Sequence, residues 1–169
     1  MSSSDPTFGR RALLALLGAL PLAACGFEPA FGPKGVASGL MGQVAFIEPR
    51  SRDAFDLVGR LQERLGRATN PRWRLGFKMT LSQEGLGITS DNVTTRYDLL
   101  GKVDWTMTDL ATDKVVASGS TESFTAYSAS GTVVSTATSE RDAHQRLMRI
   151  LADQIVTDLI ATPGFGAAP

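Results

Sequence analysis

The sequence predicts an α+β fold, a four-stranded sheet in β-α-β-β-β-α order with two helices packed on one face. Three observations predict it. Two stretches, "RWRLGFKMTLS" (72–82) and "RYDLLGKVDWTMTD" (96–109), alternate apolar and polar residues with the period of two of a half-buried strand. Two others, 51–67 and 139–161, carry apolar residues at helical spacing. The alternating strands offer a single apolar face, so both helical stripes must share it and the other face is left polar and open.

Taken in order, "QVAFIEP" (43–49) reads as a short strand whose Val44, Ala45, Phe46 and Ile47 suit burial on both faces. In the first helix, capped by Ser51 or Asp53, Ala54, Leu57, Val58, Leu61 and Leu65 form the stripe, and Asn70-Pro71 stops it. Trp73, Leu75, Phe77, Met79 and Leu81 of the next strand point one way, and Arg72, Arg74, Lys78, Thr80 and Ser82 the other. The following strand sets Tyr97, Leu99, Val103, Trp105 and Met107 against Arg96, Asp98, Lys102, Asp104 and Thr106. A polar, glycine-bearing connection (83–95) separates them. "LATDK" turns into a third strand, "VVASGSTESFTAY" (115–127), weaker and broken at Gly119, which completes an antiparallel meander. The last helix is expected from about Ser139, with Asp142 at the third position, to Ala161. Its stripe is Leu147, Met148, Leu151, Ile155 and Leu159. The folded domain is thus expected over 43–162, with 163–169 a frayed tail.

The first 42 residues read differently. Arg10 and Arg11 precede "ALLALLGALPLAA" (12–24), an apolar run too short to span a bilayer but suited to an export leader (1–24). General export fits this leader better than a twin-arginine route. Leu22, Ala23, Ala24 and Cys25 look like a bacterial lipobox. In such signals the cysteine thiol takes a diacylglyceryl group, and the cysteine becomes the new, N-acylated terminus after cleavage. The alternative is a short core helix ending in a buried thiol. Gly26, where an aspartate would retain the protein at the inner membrane, favours the outer membrane, facing the periplasm. Five glycines and two prolines between Gly26 and Gly42 disfavour both helix and strand, so 25–42 is expected to be a lipidated, flexible tether.

The chemistry of most enzyme classes is missing from the chain. One cysteine cannot make an internal disulfide, and one histidine, His144, argues against a histidine-based metal site. There is no Gly-x-Ser-x-Gly elbow, phosphate-binding loop or HExxH helix. His144, in the charged run "ERDAHQRL", reads as a solvated helix residue. Asp104 and Asp109 fall on opposite strand faces, unsuited to acid/base pairing. A net charge of zero gives no sign of nucleic-acid binding. The chain therefore reads as a non-enzyme without metal or diffusible cofactor. On the wet face, Arg72, Arg74, Lys78, Arg96 and Lys102 outnumber Glu84, Asp91 and Asp98 by two. Such cations can hold the phosphates and carboxylates of an anionic lipid head group, or they are simply a solvated strand face.

The lipobox, the start "CGFEPAFG" and the element order together resemble the lipopolysaccharide-assembly lipoprotein family LptE in its alphaproteobacterial form. Mature chains of that type begin Cys-Gly-Phe-x-Pro-Leu-Tyr-Gly. Cys25, Gly26, Phe27, Pro29 and Gly32 match, while Ala30 replaces the leucine and Phe31 the tyrosine. The segment from Thr94 to Tyr127 also resembles the family's central hairpin. The resemblance implies a lipid-anchored outer-membrane subunit that plugs the β-barrel LptD, supports its assembly and binds lipopolysaccharide. It supplies no position-by-position contacts, so the five cations rest on charge and strand parity alone. The alternatives are an accessory lipoprotein of an ABC-type phospholipid transport system and, further off, an envelope hydrolase.

Overall fold

In the computed structural model the described residues are 32, 35, 37–88 and 94–165, the side chains of residues 87 and 88 excepted. Their elements are β1 (Val44–Phe46), α1 (Arg52–Leu65), β2 (Trp73–Ile88), β3 (Thr94–Asp109), β4 (Lys114–Ser128) and α2 (Val133–Ala161). The sheet order is β1-β2-β3-β4, with β1 parallel to β2 and the other pairs antiparallel. This is the α+β arrangement the periodicities predict.

Ser51 starts α1 by accepting the Ala54 N–H at 3.1 Å, and Gly66, at φ 77°, ends it where a side chain would be strained. The buried stripe is the expected one, Ala54, Leu57, Val58, Leu61 and Leu65. Helix α2 lays Leu147, Met148, Leu151, Ala152, Ile155, Val156 and Leu159 into the same core as Leu75, Val103, Trp105 and Met107. The two helices are tied to each other by Arg60, whose Nε and Nη2 donate to the two carboxylate oxygens of Asp153 at 3.1 and 3.0 Å. A second tie joins His144 Nδ1 to Asp53 Oδ1 at 2.8 Å. His144 is therefore not a solvated helix residue: it links α2 to the first turn of α1.

Two glycines set how closely the layers approach. A Cβ on Gly101 would sit 3.0 Å from both Leu147 and Leu151, so α2 lies directly against β3 there. A Cβ on Gly119 would lie 2.5 Å from the Trp105 ring. Gly119 therefore does not break β4, which runs through it. Instead it makes room for the cross-strand indole of Trp105.

Several boundaries fall outside the expected ones. Helix α2 begins at Val133, capped by Thr132, whose hydroxyl accepts the Ser135 N–H at 3.2 Å; Ser139 lies inside the helix. Its first ten residues bury nothing, and Val133 is 87% exposed, so no stripe announces them. Strands β2 and β3 extend through most of the polar connection 83–95, because their backbones bond to each other whatever the side chains are. The expected tether also ends sooner. Residues 37–42 form turns that bury Ala37 and Leu40 completely, and Gly42 donates to the Leu65 carbonyl at 2.7 Å. Phe165, expected in the frayed tail, is buried edge-to-face on Trp73 at 5.3 Å. Gly39 meets the Phe165 backbone so closely that no Cβ would fit. At that position the glycine serves close packing, not flexibility.

Candidate functional site

The face of the sheet away from the helices is a surface whose composition the core does not dictate. On β2 it carries Arg74, Lys78, Thr80, Ser82 and Glu84, and on β3 Arg96, Asp98, Leu100, Lys102 and Asp104, by strict alternation with the buried residues. From β4 it adds Glu122 and Phe124.

The structure brings together two of the five cations singled out from the sequence, Lys78 and Lys102, two residues apart in register on neighbouring strands. Arg74, Lys78 and Lys102 share the β2–β3 part of this face and are all exposed. Arg74, level with Thr108, and Arg96 lie on the same face but each six residues along β3 from Lys102, about 20 Å at ~3.3 Å per residue. Arg72 precedes β2, and its guanidinium sits over the Trp73 ring at 4.5 Å. The expected excess of positive charge is cancelled by the register. Asp104 stands opposite Lys78 and lies 3.8 Å from Lys102, Glu122 stands opposite Lys102, and Asp98 is 4.0 Å from Arg96. The face is thus a lattice of alternating charges, each exposed pair contributing on the order of 0–1 kcal/mol.

Sequence reasoning missed the apolar centre of this face. Leu100 and Phe124 are cross-strand partners, and Phe124 is 63% exposed. With Thr80, Ser82, Lys102 and Glu122 they line a shallow pocket of about 470 Å³. Parity in β4 was the available signal: Phe124 is one step out of phase with Thr121, Thr125 and Tyr127, which point to the core. Beneath the far end of the sheet Tyr97 and Tyr127 stack at 5.4 Å, and Gln83 donates to the Tyr127 hydroxyl at 2.8 Å. Burial raises the Tyr127 hydroxyl above the usual phenol range, so it stays a neutral hydrogen-bonding group.

Groups that suggested catalysis are occupied structurally. Asp109 Oδ1 accepts the N–H groups of Ala111 and Thr112 at 2.8 and 3.0 Å, closing the β3–β4 turn and holding its carboxyl below the usual range. Asp104 pairs with Lys102, and His144 with Asp53. Among the described residues no set of three or more His, Cys, Asp and Glu is arranged to hold a metal, and no helix is long and apolar enough to cross a membrane. The lipobox residues Leu22, Ala23, Ala24 and Cys25 lie outside the described residues.

A family model described as LptE, lipopolysaccharide-assembly, matches residues 43–159. Among solved structures, the chain is similar to a Caulobacter crescentus CB15 protein classed as a lipoprotein, at 25% identity and a TM-score of 0.60, covering 75% of this chain and 93% of that one. It is also similar to a minor lipoprotein of Acinetobacter baumannii (20% identity, TM-score 0.57, 71% and 91% covered). The rare lipoprotein B of Shewanella oneidensis shares the fold at 12% identity and a TM-score of 0.54, with 70% and 92% covered. No curated protein sequence matches.

Proposed function

Because this chain belongs to the LptE family of non-enzymatic lipopolysaccharide-assembly lipoproteins, we propose that it is an outer-membrane-anchored subunit that plugs and supports the β-barrel LptD and binds lipopolysaccharide. The observation that carries this reading is the match over 43–159, which takes in the whole sheet, α1 and nearly all of α2. The open face adds chemical support. An amphiphile with phosphates beside acyl chains needs a cation next to an apolar contact, and Lys102 lies beside Leu100 and Phe124 in the same pocket.

The anchor is Cys25. Its sulfur takes a diacylglyceryl group from a phospholipid, whose phosphate head group leaves with the thiol proton; water hydrolyses the Ala24–Cys25 bond, and the freed amine takes a third acyl chain from the ester of a second phospholipid, releasing the lysophospholipid. Each buried CH₂ contributes about 0.8 kcal/mol, so several chains hold the protein to a leaflet where one would not. Residues 25–36 reach at most about 40 Å at ~3.3 Å per residue, which lets the domain enter a barrel from the periplasmic side while still anchored. The charge-balanced face is suited to meeting a polar barrel wall without the desolvation penalty of unpaired charge.

Affinity purification of a tagged full chain from detergent-solubilised outer membranes is expected to recover a large β-barrel protein in stoichiometric amount. Recovery without one would overturn the reading. Cys25→Ser is expected to lose radioactive palmitate; label that persists would refute the anchor.

A further inference from the structure

The two edges of the sheet are not alike. On one side, β1 pairs with β2 only at Trp73–Leu75, ending where the Ile47 N–H donates to the Leu75 carbonyl at 3.2 Å. The chain then leaves at Glu48–Pro49 to enter α1, while β2 continues to Ile88. The hydrogen bonds fix which backbone groups face this side. Trp73 and Leu75 bond toward β1, whereas the Arg72 carbonyl accepts from Leu110 at the end of β3. By alternation Phe77, Met79, Leu81 and Gln83 direct their N–H and C=O groups outward, and among the described residues no strand meets them.

Among the described residues this edge is also only partly covered from the core side. Phe77, Met79 and Leu81 pack on the core but remain partly exposed. With Ile47, Pro49 and Ala54 the first two line a groove of about 540 Å³ under the start of α1. The β4 edge differs: α2 closes over its inner face, where Thr121 and Thr125 are buried and Thr125 donates to the Ala143 carbonyl.

We propose that the edge of β2 from Phe77 to Gln83 receives an extended segment of a partner protein as a strand in line with β1. A row of unpaired donors and acceptors is satisfied by another backbone, not by a lipid or a helix. The incoming strand places alternate side chains in the groove, so these are apolar. Its other side chains lie beside Lys78, Thr80 and Ser82, with Arg50 and Glu48 at the groove and Asp104 facing Lys78 from the β3 side. An acidic residue therefore suits the position beside Lys78 and polar residues those beside Thr80 and Ser82, and Lys78 discourages pairing with unsuited strands. This goes beyond lipopolysaccharide binding and stands or falls apart from it.

Lys78, Thr80 and Ser82 are exposed and flank this edge, so a photo-crosslinking amino acid at each leaves the core untouched. Incorporated one at a time in the full chain within intact cells, the three probes are expected to attach to one protein. The attachment points are expected to step two residues along a single segment from each probe to the next, and Lys78→Glu is expected to diminish capture at position 80. No protein captured, attachment scattered over unrelated segments, attachment to lipid only, or attachment to this chain's own residues would each overturn the proposal.

Discussion

The two faces of this one sheet obey different rules. Under the helices, Trp105 needs Gly119, Leu147 and Leu151 need Gly101, and each residue is fixed by what touches it. On the open face, Lys78, Asp104, Lys102 and Glu122 form a lattice of exposed charges that the fold does not need. The contrast teaches where to look for function. A departure from expectation on the covered face reports packing, as at Gly119. On the open face, where folding demands little, an exposed phenylalanine in the middle of a charged lattice calls for a partner.

Substitutions can break or sharpen this contrast. The largest effect is expected inside the covered face: Leu151→Ala removes a fully buried side chain between α2 and β3 and should cost roughly 2–5 kcal/mol by urea denaturation. A smaller loss would mean that the helix settles into the space. Next, Gly119→Val forces a side chain into the Trp105 ring and should cost about 1–3 kcal/mol with altered near-ultraviolet circular dichroism. An unchanged indole signal would show that the glycine is not required for packing.

On the outer surface the sign reverses. Gly59 lies mid-helix in α1 with open space where a Cβ would go, so Gly59→Ala should stabilise by about 0.5–1 kcal/mol in the same titration. The smallest effect belongs to the open face. Phe124→Ser should leave stability within about 0.5 kcal/mol of the original, because its ring is mostly in water already. A larger loss would return Phe124 to a structural role and erase the contrast.

Legibility in the sequence followed the same division. Burial writes a period into a segment, so α1, the paired halves of β2 and β3, and the core half of α2 could be read directly. The six residues of α2 before Ser139 bury nothing and could not be. Nor could residues 83–88 of β2 and 94–95 of β3, which the backbone of the neighbouring strand holds without an apolar period. Gly39 and Phe165 looked like loose ends because a close approach between distant segments leaves no local pattern. For the candidate site, strand parity placed Arg74, Lys78, Arg96 and Lys102 on the open face. The register was invisible, and it is the register that sets Asp104 and Glu122 against the cations and pairs Leu100 with Phe124.

The central claim is that the open face recognises lipopolysaccharide while the covered face only holds it in shape. The direct test is lipopolysaccharide binding by the full chain carrying Lys102→Glu and Phe124→Ser together, with thermal unfolding followed in parallel. Binding lost at an unchanged melting temperature is the predicted result. Binding that survives both changes would contradict the claim.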